Sequence, residues 1–80
     1  MLALSKVEIA ILSLLGRFHG QEASGRELRG LLSNCGFCRS APAFVFTMMN
    51  LEDKGLIECR EEVNIIDGVE VRDRYYQIRD

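Results

Sequence analysis

Three stretches of this chain carry hydrophobic residues every three or four positions, and the fourth stretch reads as two extended runs. Val7, Ile11, Leu14, Leu15 and Phe18 form the first stripe. Leu28, Leu31 and Leu32 form the second, and Phe44, Met48 and Leu51 the third. That spacing predicts three amphipathic helices. Ser5 with Glu8 three residues on, and Ser24 with Glu27, read as capping boxes at two helix starts, and Leu4 with Ile9 could staple the first. Ser40 is the cap expected for the third helix, with Pro42 tolerated in its first turn. Gly20 marks the end of the first helix, Asn34 and Gly36 the end of the second, and Gly55 closes the third at about Lys54. Gln21-Glu22-Ala23 is placed for a very short strand. Leu56 and Ile57 then open a strand over roughly 56–63, and a second covers roughly 69–79, with Asp67-Gly68 as the turn signal between them.

The order is therefore helix, short strand, helix, helix, strand, strand. That is the layout of an α+β fold of the winged helix-turn-helix class, with three helices and a C-terminal β-hairpin wing, in one domain over residues 1–80. Eighty residues with 48% hydrophobic content support one modest core. A chain of this size buries about 60% of the surface its unfolded form exposes. There is no room for a separate catalytic domain.

The run Asn50-Leu51-Glu52-Asp53-Lys54-Gly55-Leu56-Ile57-Glu58, the later Arg74-Tyr75-Tyr76, and Phe18-His19-Gly20 give the sequence a wording that resembles PadR-like winged-helix transcription regulators. The resemblance covers most of the chain. It implies a DNA-binding transcriptional regulator, acting as a homodimer on a palindromic site, with helix 3 in the major groove. The chain departs from the family where Val45 stands near the usual helix 3 tyrosine and where helix 2 begins later after the His-Gly pair. The C-terminal helix that commonly dimerises such regulators has no counterpart after the second strand.

Charge refines this picture. The net charge is −2, so no global basic field draws in nucleic acid. Residues 1–51 hold five basic and three acidic side chains, whereas residues 52–80 hold five basic and nine acidic. A DNA-facing surface should draw mainly on the first half. On the helix-turn-helix reading, Ser40, Ala41, Ala43 and Thr47, with Asn50 further along, face base edges, and Thr47 and Asn50 share an outward side with Ala43 and Phe46. Arg26, Arg29 and Arg39 would hold phosphates. Arg72 and Arg74, two apart on a strand, project from one face of the wing and could touch the DNA backbone. Against this, helix 3 offers no Arg, and the wing tip from Glu61 to Glu70 has four acidic side chains and no basic one. The alternative is a winged-helix protein-protein interaction module without specific DNA binding, with Phe46 as an anchor. Helix 1, apolar also at Ile9, Ala10 and Leu12, could bury a partner face as well as a core face.

Cys35-Gly36-Phe37-Cys38 is a lone CxxC. A structural zinc site wants four ligands, and only Cys59 and His19 remain to complete one. A thioredoxin-like redox site would want a strand ahead of the motif, where this chain has a helix. The plainer assignment makes Cys38 and Cys59 small core residues and leaves Cys35 partly exposed in a turn, with no metal and no cofactor. Three cysteines, an odd number, point to reduced thiols and a cytoplasmic protein. No apolar run reaches membrane-spanning length. His19, the single histidine, has no nucleophile or carboxylate at a meaningful spacing, so an enzyme is not expected. Of Tyr75 and Tyr76, one is expected to pack under helix 1 or helix 3 and the other to face outward.

Overall fold

The fold was analysed in a computed structural model that describes residues 3–37 and 40–79. It contains α1 (Lys6–Gly16), β1 (Ala23–Ser24), α2 (Gly25–Asn34), α3 (Ala41–Asp53), β2 (Ile57–Ile66) and β3 (Val69–Ile78). The strands form one antiparallel sheet in the order β1-β3-β2. Three helices against a hairpin-bearing sheet make a winged helix of the α+β class.

Local chemistry fixes the helix ends. Ser5 Oγ accepts from the Glu8 N–H at 3.2 Å, and Glu8 Oε1 accepts from the Ser5 N–H at 2.9 Å, which completes a capping box on α1. Ser24 and Ser40 accept from the N–H groups of Glu27 and Ala43 at the starts of α2 and α3. Two helices end in the same way. Gly36 and Gly55 adopt φ of +89° and +75°, which only glycine reaches without strain. Each is followed by a residue whose N–H turns back into the helix: Phe37 to the Leu32 carbonyl at 2.8 Å, Leu56 to the Leu51 carbonyl at 3.2 Å. The glycine of the CxxC therefore has a structural duty in closing α2.

Ile11, Leu14 and Leu15 of α1, Leu28 and Leu32 of α2, and Phe44, Met48 and Leu51 of α3 form the core with Ala23, Ile57 and Tyr76. These are the stripes that the helical spacing picks out. Tyr76 is the sheet's main contribution. Its ring meets Phe44 edge-on, with centroids 6.1 Å apart, a favoured aromatic geometry. Glu8 is 6% exposed, yet it is satisfied: Lys54 Nζ donates to its Oε2 at 2.9 Å and to the Ala3 carbonyl at 3.2 Å. This pair ties the start of α1 to the end of α3.

The hairpin is longer than its sequence pattern suggests. β2 continues to Ile66, so Ile66 pairs with Val69 across the two-residue Asp67-Gly68 turn. Expected to stop near residue 63, the strand is carried on by cross-strand hydrogen bonding rather than by burial. The first strand starts two residues later than Gln21-Glu22-Ala23, at Ala23 and Ser24 opposite Tyr76 and Tyr75. Beyond Tyr75 toward the tip the wing is two-stranded. Cys59 corrects an expectation: it is exposed and not in the core. It shares a face with buried Ile57, but at that point the sheet already extends past full cover by the helices. Partial desolvation and then the Glu52 carboxylate push its thiol above its ordinary value. Cys35 is exposed, while Cys38 lies outside the described residues.

Candidate nucleic-acid interface

The helix-turn-helix and the wing meet at a cleft of about 340 Å³. Arg26 and Arg29 reach it from the first turns of α2, Ala41 and Val45 from α3, and Arg72 and Arg74 from β3. Four arginines from segments distant in sequence thus share one concavity, in a protein whose net charge is negative. Arg39, the remaining candidate, falls outside the described residues. Ser40 is exposed at the α3 N-cap, where its hydroxyl accepts from the Ala43 N–H at 3.3 Å. Asn50 is exposed and Ala43 half-buried.

Thr47 requires a correction. It is 5% exposed, turned into the core, and its Oγ donates to the Ala43 carbonyl at 3.0 Å. At about 100° per residue, position 47 falls on the edge of the stripe, about 40° from Leu51 and about 60° from Phe44, and the packing that buries those two covers Thr47 as well. The hydroxyl bonds to its own helix and has no route to a base edge. The outward side of α3 carries Phe46, Met49 and Asn50 instead.

Pairing across the wing decides what Arg72 and Arg74 face. Glu61 lies opposite Arg74, Val63 opposite Arg72 and Ile65 opposite Glu70, and directly paired residues share a face. Arg72 Nε donates to Glu70 Oε1 at 2.9 Å, and its Nη1 lies 3.5 Å from Glu61 Oε1. Arg74 Nε lies 3.7 Å from Glu61 Oε2. Glu61 therefore bridges the two wing arginines and itself lines the cleft. Ion pairs this exposed are weak and exchange readily. The two-residue turn alone fixes this register, so the position of Glu61 could have been counted from Asp67-Gly68 in the sequence; the acidic wing reads differently once that count is made.

The opposite face of the wing holds a separate network. Arg60 binds Glu22 through two hydrogen bonds of 2.9 and 3.1 Å, reaches Glu62 at 3.0 Å, and stacks over Tyr75 at 4.7 Å. The guanidinium holds the Glu22 and Glu62 carboxyls below their usual range. This cluster pins β1's approach to the sheet and faces away from the cleft. It accounts for Tyr75 as a stacking partner, whereas Tyr76 is the buried one of the pair. The tip beyond is apolar as well as acidic: Ile65 is 77% exposed, with Ile66 and Val69 also open to solvent. His19 sits in the turn after α1 with φ of +52°. Among the described residues no three His, Cys, Asp or Glu side chains converge to hold a metal ion, and no helix is long and apolar enough to cross a membrane.

Comparison with known proteins gives a likeness of fold. No family model matches the chain, and no curated protein matches it in sequence. Among solved structures, a crystal structure of a Thermoplasma acidophilum protein described as a transcriptional regulator superposes with a TM-score of 0.67 over 92% of this chain and 69% of its own. The two are 17% identical, so the likeness concerns the architecture, which the two chains reach with largely different residues.

Proposed function

We propose that this chain is a DNA-binding transcriptional regulator of the PadR-like kind, with α3 in the major groove of duplex DNA. The observation that carries the reading is the convergence of Arg26, Arg29, Arg72 and Arg74 on the cleft between the helix-turn-helix and the wing. Arginine is suited to phosphate because its planar fork donates two parallel hydrogen bonds. In this reading the four arginines, gathered in one cleft beside α3, would hold the phosphates along one edge of the groove. The sequence phrases around Gly55 and Tyr75 support the same reading, as does the fold shared with a protein described as a transcriptional regulator. Arg39, just ahead of α3 in the chain, joins the phosphate set in this proposal, and Ser40, Ala43 and Asn50 lie along the groove.

A homodimer belongs to this reading. One winged helix contacts a short half-site, and two copies on a two-fold site gain through effective concentration. The contact surface proposed is α1, where Ile9 is exposed and Ala10 and Leu12 are half-buried. Sedimentation equilibrium checks this. A mass that stays at 9.1 kDa at tens of micromolar removes the dimer.

Fluorescence anisotropy with labelled genomic duplexes at two salt concentrations tests the DNA reading. Binding should weaken steeply with salt, because each neutralised phosphate releases counterions. Arg26→Ala and Arg29→Ala should each weaken all sequences alike and lower the slope of log K against log salt by about 0.9. Absence of any salt-dependent binding at micromolar protein refutes the proposal. The reading that would then stand is a protein-interaction module. The specific observation favouring it is the apolar surface left open at the wing tip, Ile65, Ile66 and Val69, among acidic side chains.

A further inference from the structure

The face that α3 turns away from the core is mostly apolar. Phe46 is 65% exposed and Met49 53%, and Asn50 is exposed one turn beyond Phe46. Offsets of three and four residues make these side chains neighbours on the helix surface. Thr47, which would have interrupted the set, is turned into the core. From Ala41 to Asp53 the helix carries no Arg and no Lys. Val45, which lines the arginine cleft with Ala41, lies four residues before Met49 and beside it on the helix surface, so the apolar face and the basic concavity are continuous.

Base edges in the major groove ask different things of a side chain. Guanine presents two acceptors and is read by Arg or Lys. Adenine presents an acceptor at N7 and a donor at N6, which a carboxamide matches. Thymine is distinguished by its C5-methyl group, which an apolar side chain covers. α3 has the carboxamide and the apolar groups and lacks the guanine reader. Resting on the DNA-binding reading above, we infer that Phe46 and Asn50 form an A·T reader. The Phe46 ring covers a thymine C5-methyl. The Asn50 carboxamide accepts from adenine N6–H and donates to N7. Met49 extends the apolar surface for a second methyl. The preferred half-site is therefore built on neighbouring adenine and thymine, and Phe46 is a specificity-determining residue.

The experiment uses the full chain. Preferred duplexes are first selected from a random library, and each thymine in turn is replaced by deoxyuridine, which leaves the base pair intact and removes only the methyl. Binding should fall about fourfold at one or two positions, the transfer value of one buried carbon group, and be unaffected at the others. Phe46→Ala should weaken the thymine duplex by that factor and abolish the difference between thymine and deoxyuridine. Phe46→Leu should restore part of it. Asn50→Ala should keep the methyl dependence and lose the preference for adenine. Equal binding of thymine and deoxyuridine duplexes, with salt-dependent binding intact, overturns this inference and leaves the DNA reading standing. Phe46→Ala that binds DNA like the wild type also overturns it, and identifies the Phe46 face as a protein contact. Loss of all salt-dependent binding would remove both readings together. Because Phe46 is exposed, its replacement leaves the core untouched, and an unchanged thermal melt verifies this.

Discussion

Replacing Glu8 with Gln should cost stability at neutral pH and cost almost nothing in acid. Glu8 does two things at once. Its Oε1 accepts from the Ser5 N–H at the α1 N-cap, and its Oε2 accepts from Lys54 Nζ at the α3 C-cap. Glutamine keeps a side-chain acceptor for Ser5 but loses the charge that Lys54 faces. A net hydrogen bond to a charged group is worth about 1.5–3 kcal/mol. The Lys54 side chain is 28% exposed and the Glu8 side chain 8%, so solvent screens one end of the pair. We expect a loss near the lower end of that range, about 1.5 kcal/mol, or roughly 6–12 °C in Tm for a domain of this size. The pH dependence identifies the source. The hydrogen bond from the Ser5 backbone and the Lys54 ammonium hold the Glu8 carboxyl below its ordinary value of 4.5. A carboxyl depressed in the folded state stabilises above its unfolded pKa and loses that contribution as pH falls through its folded pKa. The difference between wild type and Glu8→Gln should thus be full at pH 7, shrink below about pH 4.5, and vanish once folded Glu8 is protonated. Urea unfolding followed by circular dichroism from pH 7 down to pH 2.5 measures it. A difference that is the same at both ends of that range would refute the charge as its origin.

Three other perturbations follow from the geometry. Glu61→Gln should strengthen DNA binding and steepen its salt dependence by up to about 0.9 in log–log slope, because it releases Arg74 for phosphate while Arg72 keeps its Glu70 partner; weaker binding would mean that the bridge positions the arginines rather than competing for them. Thr47→Val should leave sequence preference unchanged in the same assay and alter stability by less than about 1 kcal/mol, since the hydroxyl bonds only to its own helix; a shifted base preference would put Thr47 back at the groove. Leu51→Ala should cost about 3 kcal/mol in urea unfolding, as expected for a fully enclosed leucine. That is a large fraction of a total near 4–12 kcal/mol for eighty residues, and a loss below 1 kcal/mol would contradict the packing described for α3.

The helices, their starts and the ends of α2 and α3 were legible in the sequence because local rules govern them, whereas α1 ends at Gly16, four residues before the Gly20 stop. Ser5 and Glu8, Ser24, Ser40 and Gly55 act within one turn of themselves, and the apolar stripes they bound are the ones that reach the core. The wing's length was not legible. β2 continues to Ile66 through backbone pairing with Val69, and a pairing leaves no hydrophobic alternation when neither face is covered. Cys59 was misplaced for the same reason, since the strand pattern shows which face it shares with Ile57 but not how far the helices extend over it. At the candidate site, the arginines were recognisable by type and position, and their meeting at one cleft depended on how α2 packs on β3. Thr47 reads as outward by its polarity, but its angular position beside Leu51 and Phe44 is the better guide.

The two-residue β1 braces β3 only at Tyr75 and Tyr76, and this makes the wing a lever. From that brace to the Asp67-Gly68 turn the arm is about 27 Å long, at some 3.3 Å per residue, anchored by the Tyr76 ring at one end and held by no third strand beyond it. A rotation of about 5° at the anchor would move the tip by about 2 Å without breaking the hydrogen bonds between β2 and β3. Arg74 sits next to the fulcrum and Arg72 one step further out, so they move little while the tip moves far. Such a motion would leave the cleft's shape intact while the far end of the hairpin changed position.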